Sequence, residues 1–236
     1  MAVSYANPSD LAFVVLPLAV TGFLVWAAGR AGRSAVLTAA LALAWMAGTW
    51  MIAASGVLRQ WQRLPPPMLL LVVAIIAIAS AIAFSGYGAA LATRIPLAAL
   101  VGVQGFRLPL ELAMHALVGR GVMPPQMSYG GLNYDIVSGA TAILVAAFLA
   151  TGRAGRGLVL AWNLLGLALL ANILVVAILS MPMIAAFGPD RLNTFVTYPP
   201  YVWLPAVLVL AALAGHLLVF RALRAIPPAA GATPTD

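Results

Sequence analysis

The sequence contains neither cysteine nor lysine. The first absence removes disulfides, thiolate nucleophiles and cysteine-bound metals, and it leaves the redox compartment open. The second removes Schiff-base chemistry, and with it a lysine-linked retinal. Acidic residues are nearly as scarce: five in 236, with Glu111 the single glutamate. There are two histidines, His115 and His216, too few for a metal site built from several imidazoles. A haem shared between them needs both at one depth, and their positions along their helices differ by roughly 15 Å of helix rise. No Walker motif, glycine-rich dinucleotide loop, His-Glu-x-x-His or Gly-x-Ser-x-Gly occurs, so no cofactor or metal is expected.

Apolar sequence is what the chain has in abundance. It is 64% hydrophobic and 7% charged, too apolar for a water-soluble domain of this length. The expected class is a polytopic all-α membrane protein. The net charge of +7 comes from arginines set between apolar runs. That placement points to membrane topology and lipid headgroups rather than nucleic acid.

Seven spans are expected: about Leu11–Ala28, Ala35–Gly56, Met68–Tyr87, Leu97–Val118, Tyr134–Ala150, Leu158–Ile178 and Val202–Phe220. They form one domain over residues 1–226, followed by a disordered Pro/Ala/Gly tail over 227–236. The N-terminus lacks a basic leader, so the first run is read as a permanent span. Ser9 or Asp10 is expected to cap the first helix, and Pro17 to kink it. An odd number of spans separates seven arginines (Arg30, Arg33, Arg94, Arg153, Arg156, Arg221, Arg224) from four (Arg59, Arg63, Arg120, Arg191). The positive-inside rule then places the N-terminus outside and the C-terminus inside, in a bacterial inner membrane.

One stretch breaks the apolar pattern. Gln104, Arg107, Glu111 and His115 are spaced three, four and four apart, within roughly 80° on one helical face. A charged side chain at bilayer depth costs about 2.5–3.5 kcal/mol, so this stripe must face other helices or a wet cavity. Glu111 is the expected titrating group, with Arg107 as its ion-pair partner or an anion anchor. Pro109 between them removes a backbone donor. Asn133 and Asp135 open the fifth span, with Asn133 as cap and Asp135 in the first turn; Ser138 follows one turn later. Glu111, His115 and Asp135 are expected to line one cavity open to the outer face. His216 is expected to pack, Asn163 and Asn172 to bond between helices, and Met123, Met127, Met181 and Met183 to pack at span ends. The segment 119–133 is expected to form a packed loop or a partly re-entrant one.

Arg107-Leu-Pro-Leu-Glu111, Pro124-Pro125-Gln-Met127, Gly131-Leu-Asn133-Tyr-Asp135-Ile and Gly139-Ala-Thr141-Ala together resemble a family of small bacterial multi-pass integral membrane proteins. No activity is assigned to that family, so the resemblance implies a fold and a location but no residue roles. Seven-span hydrolases similar to adiponectin receptors need a histidine pair in the last span, where this chain has His216 alone.

Three functions are compatible with these residues. The first is small-solute or proton-linked transport through a polar cavity. The second is an intramembrane enzyme on a lipid or lipophilic substrate, using Glu111 or Asp135 as base and His115 as acid. The third is a non-catalytic subunit whose Arg107–Glu111 pair is a structural clasp. The transport reading is preferred.

Overall fold

The computed structural model describes residues 7–225; the tail over 227–236 lies outside them. Helix α1 runs Pro8–Arg30 and α2 Ala35–Ala54. Neither Ser9 nor Asp10 caps α1. Asn7 does, its side chain accepting from the Ser9 amide at 3.0 Å. Pro8 at the first helical position lacks the amide that would need a partner there. The earlier start leaves Asp10 inside the helix, fully buried.

The expected third span breaks in two, α3 over Pro67–Phe84 and α4 over Gly86–Arg94. Ser85 between them is extended, and its hydroxyl caps α4 by accepting from the amides of Tyr87 and Gly88. A side chain at Gly88 would run into the carbonyls of Ile82 and Ala83, so only glycine permits so sharp a break.

The fourth apolar segment, Leu97–Gly119, consists of α5 (Leu97–Gly102), a 3₁₀ turn over Val103–Phe106, and α6 (Arg107–Gly119). Pro109 cannot donate to the carbonyl of Gly105, which is one reason the α-helical ladder lapses here. Helices α7 (Asp135–Ala150), α8 (Arg156–Leu179) and α9 (Leu210–Ala225) follow. A π-helical turn over Leu204–Val209 leads into α9.

Six of these segments are long and apolar enough to cross a membrane, and no strand occurs among the described residues. The chain therefore has multi-pass helical membrane character. The remaining apolar helix, α7, has 16 residues, about 24 Å of rise against a hydrocarbon core of about 30 Å.

Helix α9 is the central post, packing against α3, α4, α5 and α8, while α7 packs against α5, α6 and α8. The chain from 120 to 134 is a packed loop, with Met123, Gln126, Met127, Ser128 and Asn133 buried. Gln126 holds it down by donating to Ser180 Oγ at 2.9 Å and to the Arg191 carbonyl at 2.7 Å. Met123, Met127 and Met181 are core residues, whereas Met183 is exposed.

Candidate functional site

The polar stripe is assembled by one close helix crossing. At Gly139 an added Cβ would stand 2.5 Å from the Leu108 amide and 2.9 Å from Arg107 Cβ. Because no side chain intervenes, the start of α6 lies directly on α7. Asp135, one turn before Gly139, and Ser138, directly before it, then come within reach of Arg107.

Arg107 Nη1 donates to Asp135 Oδ1 at 3.0 Å and to Ser138 Oγ at 2.7 Å. The expected Arg107–Glu111 clasp is therefore not what forms. Arg107 pairs across helices with Asp135, and Glu111 is held by a neutral group, Asn133 Nδ2, at 2.7 Å. Asn133 also donates to the Met127 carbonyl and accepts from the Asp135 amide at 3.1 Å, so it joins loop, helix start and Glu111. The cap position of α7 is Tyr134 and carries no capping side chain, so Asn133, expected as the cap, lies one residue before it and reaches only the Asp135 amide of that helix.

Gln104 stands apart from this pairing. It donates from Nε2 to the Ala212 carbonyl of α9 at 3.2 Å. Gly215 makes room for it, since any side chain there would overlap Gln104.

His115 is not in the cluster. It is exposed and stacks on Tyr129 with ring centroids 4.4 Å apart. The buried face of α6 is set by Leu110, Met114 and Leu117 on the other side of Arg107. His115, about 80° from Arg107 in the opposite sense, falls just past its edge. The expected cavity shared by Glu111, His115 and Asp135 thus loses its histidine.

The histidine expected merely to pack lies closer to the cluster. His216 is fully buried, its Nδ1 2.8 Å from Asn163 Oδ1, and Asn163 Nδ2 donates to the His216 carbonyl. A Cβ at Gly166 would touch both His216 and Ser138 Oγ. Ser138, His216 and Asn163 therefore extend the polar layer from α6 and α7 to α8 and α9. The sequence signal was present as Asn163 followed one turn later by Gly166, a polar group beside a gap on the same face. Asn172 bonds the Leu132 carbonyl at 2.7 Å, as expected of a structural asparagine.

Two features make the cluster chemically incomplete. Arg107 Nε and Nη2, Glu111 Oε2, Gln104 Oε1 and His216 Nε2 are buried without a hydrogen-bond partner among the described residues. Charge is also out of balance. Arg107, Glu111 and Asp135 are 1%, 2% and 6% exposed, and full ionisation would leave one net negative charge in low dielectric. Such a charge costs several kcal/mol, so the site requires either a proton on one carboxyl or a bound cation.

A cavity of about 80 Å³ borders the cluster, with Arg107, Glu111, Asn133 and Asp135 in its lining beside Met68, Val72 and Met114. It has room for a few water molecules or a solute of similar size. Among the described residues no group of three or more His, Asp or Glu is placed to hold a metal.

A second arginine–aspartate pair lies at the far end of α6. Arg120 Nη1 and Nη2 donate to Asp10 Oδ1 and Oδ2 at 2.7 and 3.0 Å, and Nη1 also reaches Ser9 Oγ. Tyr201 donates to Asp10 Oδ1 at 2.7 Å. The hydrogen bonds to Asp10 hold the Arg120 guanidinium above its ordinary range, so it is charged at every accessible pH. Compared with protein-family models, curated proteins and solved structures, the chain shows no match.

Proposed function

We propose that this chain is a seven-span bacterial inner-membrane protein, N-terminus out, which moves a small solute together with a proton. The observation that carries the reading is Glu111. It is a buried carboxyl with one oxygen held by Asn133 and the other unpartnered, lining a cavity beside a half-paired arginine. A purely architectural acid in low dielectric is expected to have both oxygens bonded.

The chemistry follows from charge balance. Arg107 Nε and Nη2 present a free guanidinium edge to a small anion or a carbonyl-type acceptor. A monoanion docking there adds a second negative charge to a site already one proton short of neutrality. Each anion bound must therefore bring a proton, taken by Glu111 or Asp135, and anion and proton affinity rise together. Asn133 holds the Glu111 carboxyl and Ser138 the Arg107 guanidinium, and neither exchanges protons itself. The enzyme reading draws on His115 as acid, and that ring is exposed and stacked on Tyr129 rather than bonded to either carboxylate.

The test is proton movement in proteoliposomes carrying an entrapped pH indicator, driven by gradients of formate, nitrate or chloride. Wild type is expected to move protons with at least one of these anions, and both Glu111→Gln and Arg107→Gln to reduce that movement to the level of empty vesicles. Wild-type vesicles that match empty ones for every anion sink the transport reading.

A further inference from the structure

A second cavity, of about 390 Å³, lies between α1, α2, the α3–α4 break and α9, and it belongs to no part of the polar cluster. Its wall is apolar through most of its depth, with Leu24, Trp45 and Leu210 among the lining residues. Along α2 the lining runs from Thr38 to Met46, about 12 Å of rise, or most of one leaflet's share of a hydrocarbon core of about 30 Å. Polar groups are gathered at one end, where Thr38 Oγ1 and Tyr87 Oη lie 3.2 Å apart beside Ser85; Thr21, at the Met46 end, is turned to Met46 Sδ.

On the same side as that polar end, three guanidinium groups outside the cavity wall are anchored on backbone. Arg33 Nη2 donates to the Gly86 carbonyl at 2.8 Å, between the lining residues Ser85 and Tyr87. Arg221 Nη1 donates to the carbonyls of Ala83 and Ser85. Arg94 Nη1 donates to the Ala31 carbonyl at 2.7 Å. Each bond uses one nitrogen of a five-donor fork, and among the described residues no acidic side chain lies in the cavity wall. An apolar slot about one leaflet deep, with three anchored cations near its polar end, matches a chain with an anionic head. The α2 wall also shows why the chain would enter from the bilayer: this helix buries Met46, Thr49 and Ala53 and leaves Val36, Leu41 and Met51 exposed.

We infer that this cavity binds one acyl chain of an anionic phospholipid from the arginine-rich leaflet, its phosphate seated on Arg33, Arg94 and Arg221. The site is independent of the proposed transport chemistry.

Native mass spectrometry of delipidated full-length protein, titrated with phosphatidylglycerol, phosphatidylcholine or inorganic phosphate, tests this. One phosphatidylglycerol per chain is expected to survive activation, in preference to phosphatidylcholine, with inorganic phosphate alone not retained. Arg33→Gln, at an exposed position, is expected to weaken phosphatidylglycerol about fivefold, the share of one guanidinium near a headgroup. Ala42→Phe, which fills the slot, is expected to remove the bound lipid. Equal retention of both lipids, or no loss on Arg33→Gln, overturns the proposal even if Ala42→Phe does not fold. Retention of phosphate without a chain overturns it as well, by making the site an anion site only.

Discussion

Two arginine–aspartate pairs tie α6 to its neighbours, and they are built on different plans. At its C-terminal end Arg120 meets Asp10 fork to fork, and the same carboxylate also receives Tyr201. At its N-terminal end Arg107 spends a single nitrogen on both Asp135 and Ser138, and its other two nitrogens bond nothing among the described residues. The first pair lies where the Arg120 side chain is 30% exposed; the second is sealed, at 1% and 8%. Burial ought to demand the more complete hydrogen bonding, and here the buried pair has the less complete set. A fold that can build a bidentate pair at one end of a helix, and leaves donors over at the other, separates a fastening from a site.

The largest expected effect is on the sealed pair. Arg107→Gln leaves Asp135 buried without its cation and should cost about 3–5 kcal/mol, read as thermal unfolding in detergent. Adding Asp135→Asn should recover much of that loss, giving a large coupling energy in the double-mutant cycle. Additive losses would mean the two groups are not a pair.

Gly139→Ala comes next. Its methyl group has no room against Leu108 and Arg107, so a loss of about 1–3 kcal/mol is expected, together with loss of anion-driven proton movement. Unchanged stability would show that α6 and α7 do not cross as closely as described.

Arg120→Gln should cost about 1–3 kcal/mol, and the loss should be flat with pH. The sign follows from a folded-state pKa raised above the unfolded one: the stabilisation is fully present below the unfolded value. It is lost only as pH rises through the folded value, beyond arginine's ordinary range, so nothing changes between about pH 5 and 9. Melting curves of wild type and variant that converge within that window would contradict the assignment. By contrast Glu111→Gln should be within about 1 kcal/mol of wild type, since Asn133 can still bond an amide oxygen, while abolishing proton movement. The smallest effect belongs to His115→Ala, within about 0.5 kcal/mol and with transport intact. A transport defect there would restore the histidine to the site.

The residues of the buried cluster were legible in the sequence, but neither arginine–aspartate pairing was, and the gaps have physical causes. Arg107, Glu111, Asn133, Asp135 and Ser138 stand out because polar groups in an apolar run must find partners. Which partners they find depends on how close two helices come, and that was set by Gly139, which carries no polar signal. The i,i+4 spacing made Arg107–Glu111 look like the pair, but a cross-helix carboxylate won. His115 was misplaced because a stripe four residues long in spacing spans 80°, and the edge of the buried arc is fixed by Leu110, Met114 and Leu117 instead. Asp10 read as a cap because it is polar near a helix start; Asn7 and Pro8 supply that start one turn earlier. The break at Ser85 was written in Ser85-Gly86-Tyr87-Gly88, turn residues directly after an apolar run. The burial of His216 was expected, but its place in the polar layer showed only as Asn163 beside Gly166, since its partners lie on other helices.

Among the described residues, Phe106 is the one residue that belongs to the linings of both cavities. It occupies the last position of the 3₁₀ turn, immediately before Arg107. The two cavities therefore meet at one common side chain, so a change in its size would be felt in both at once.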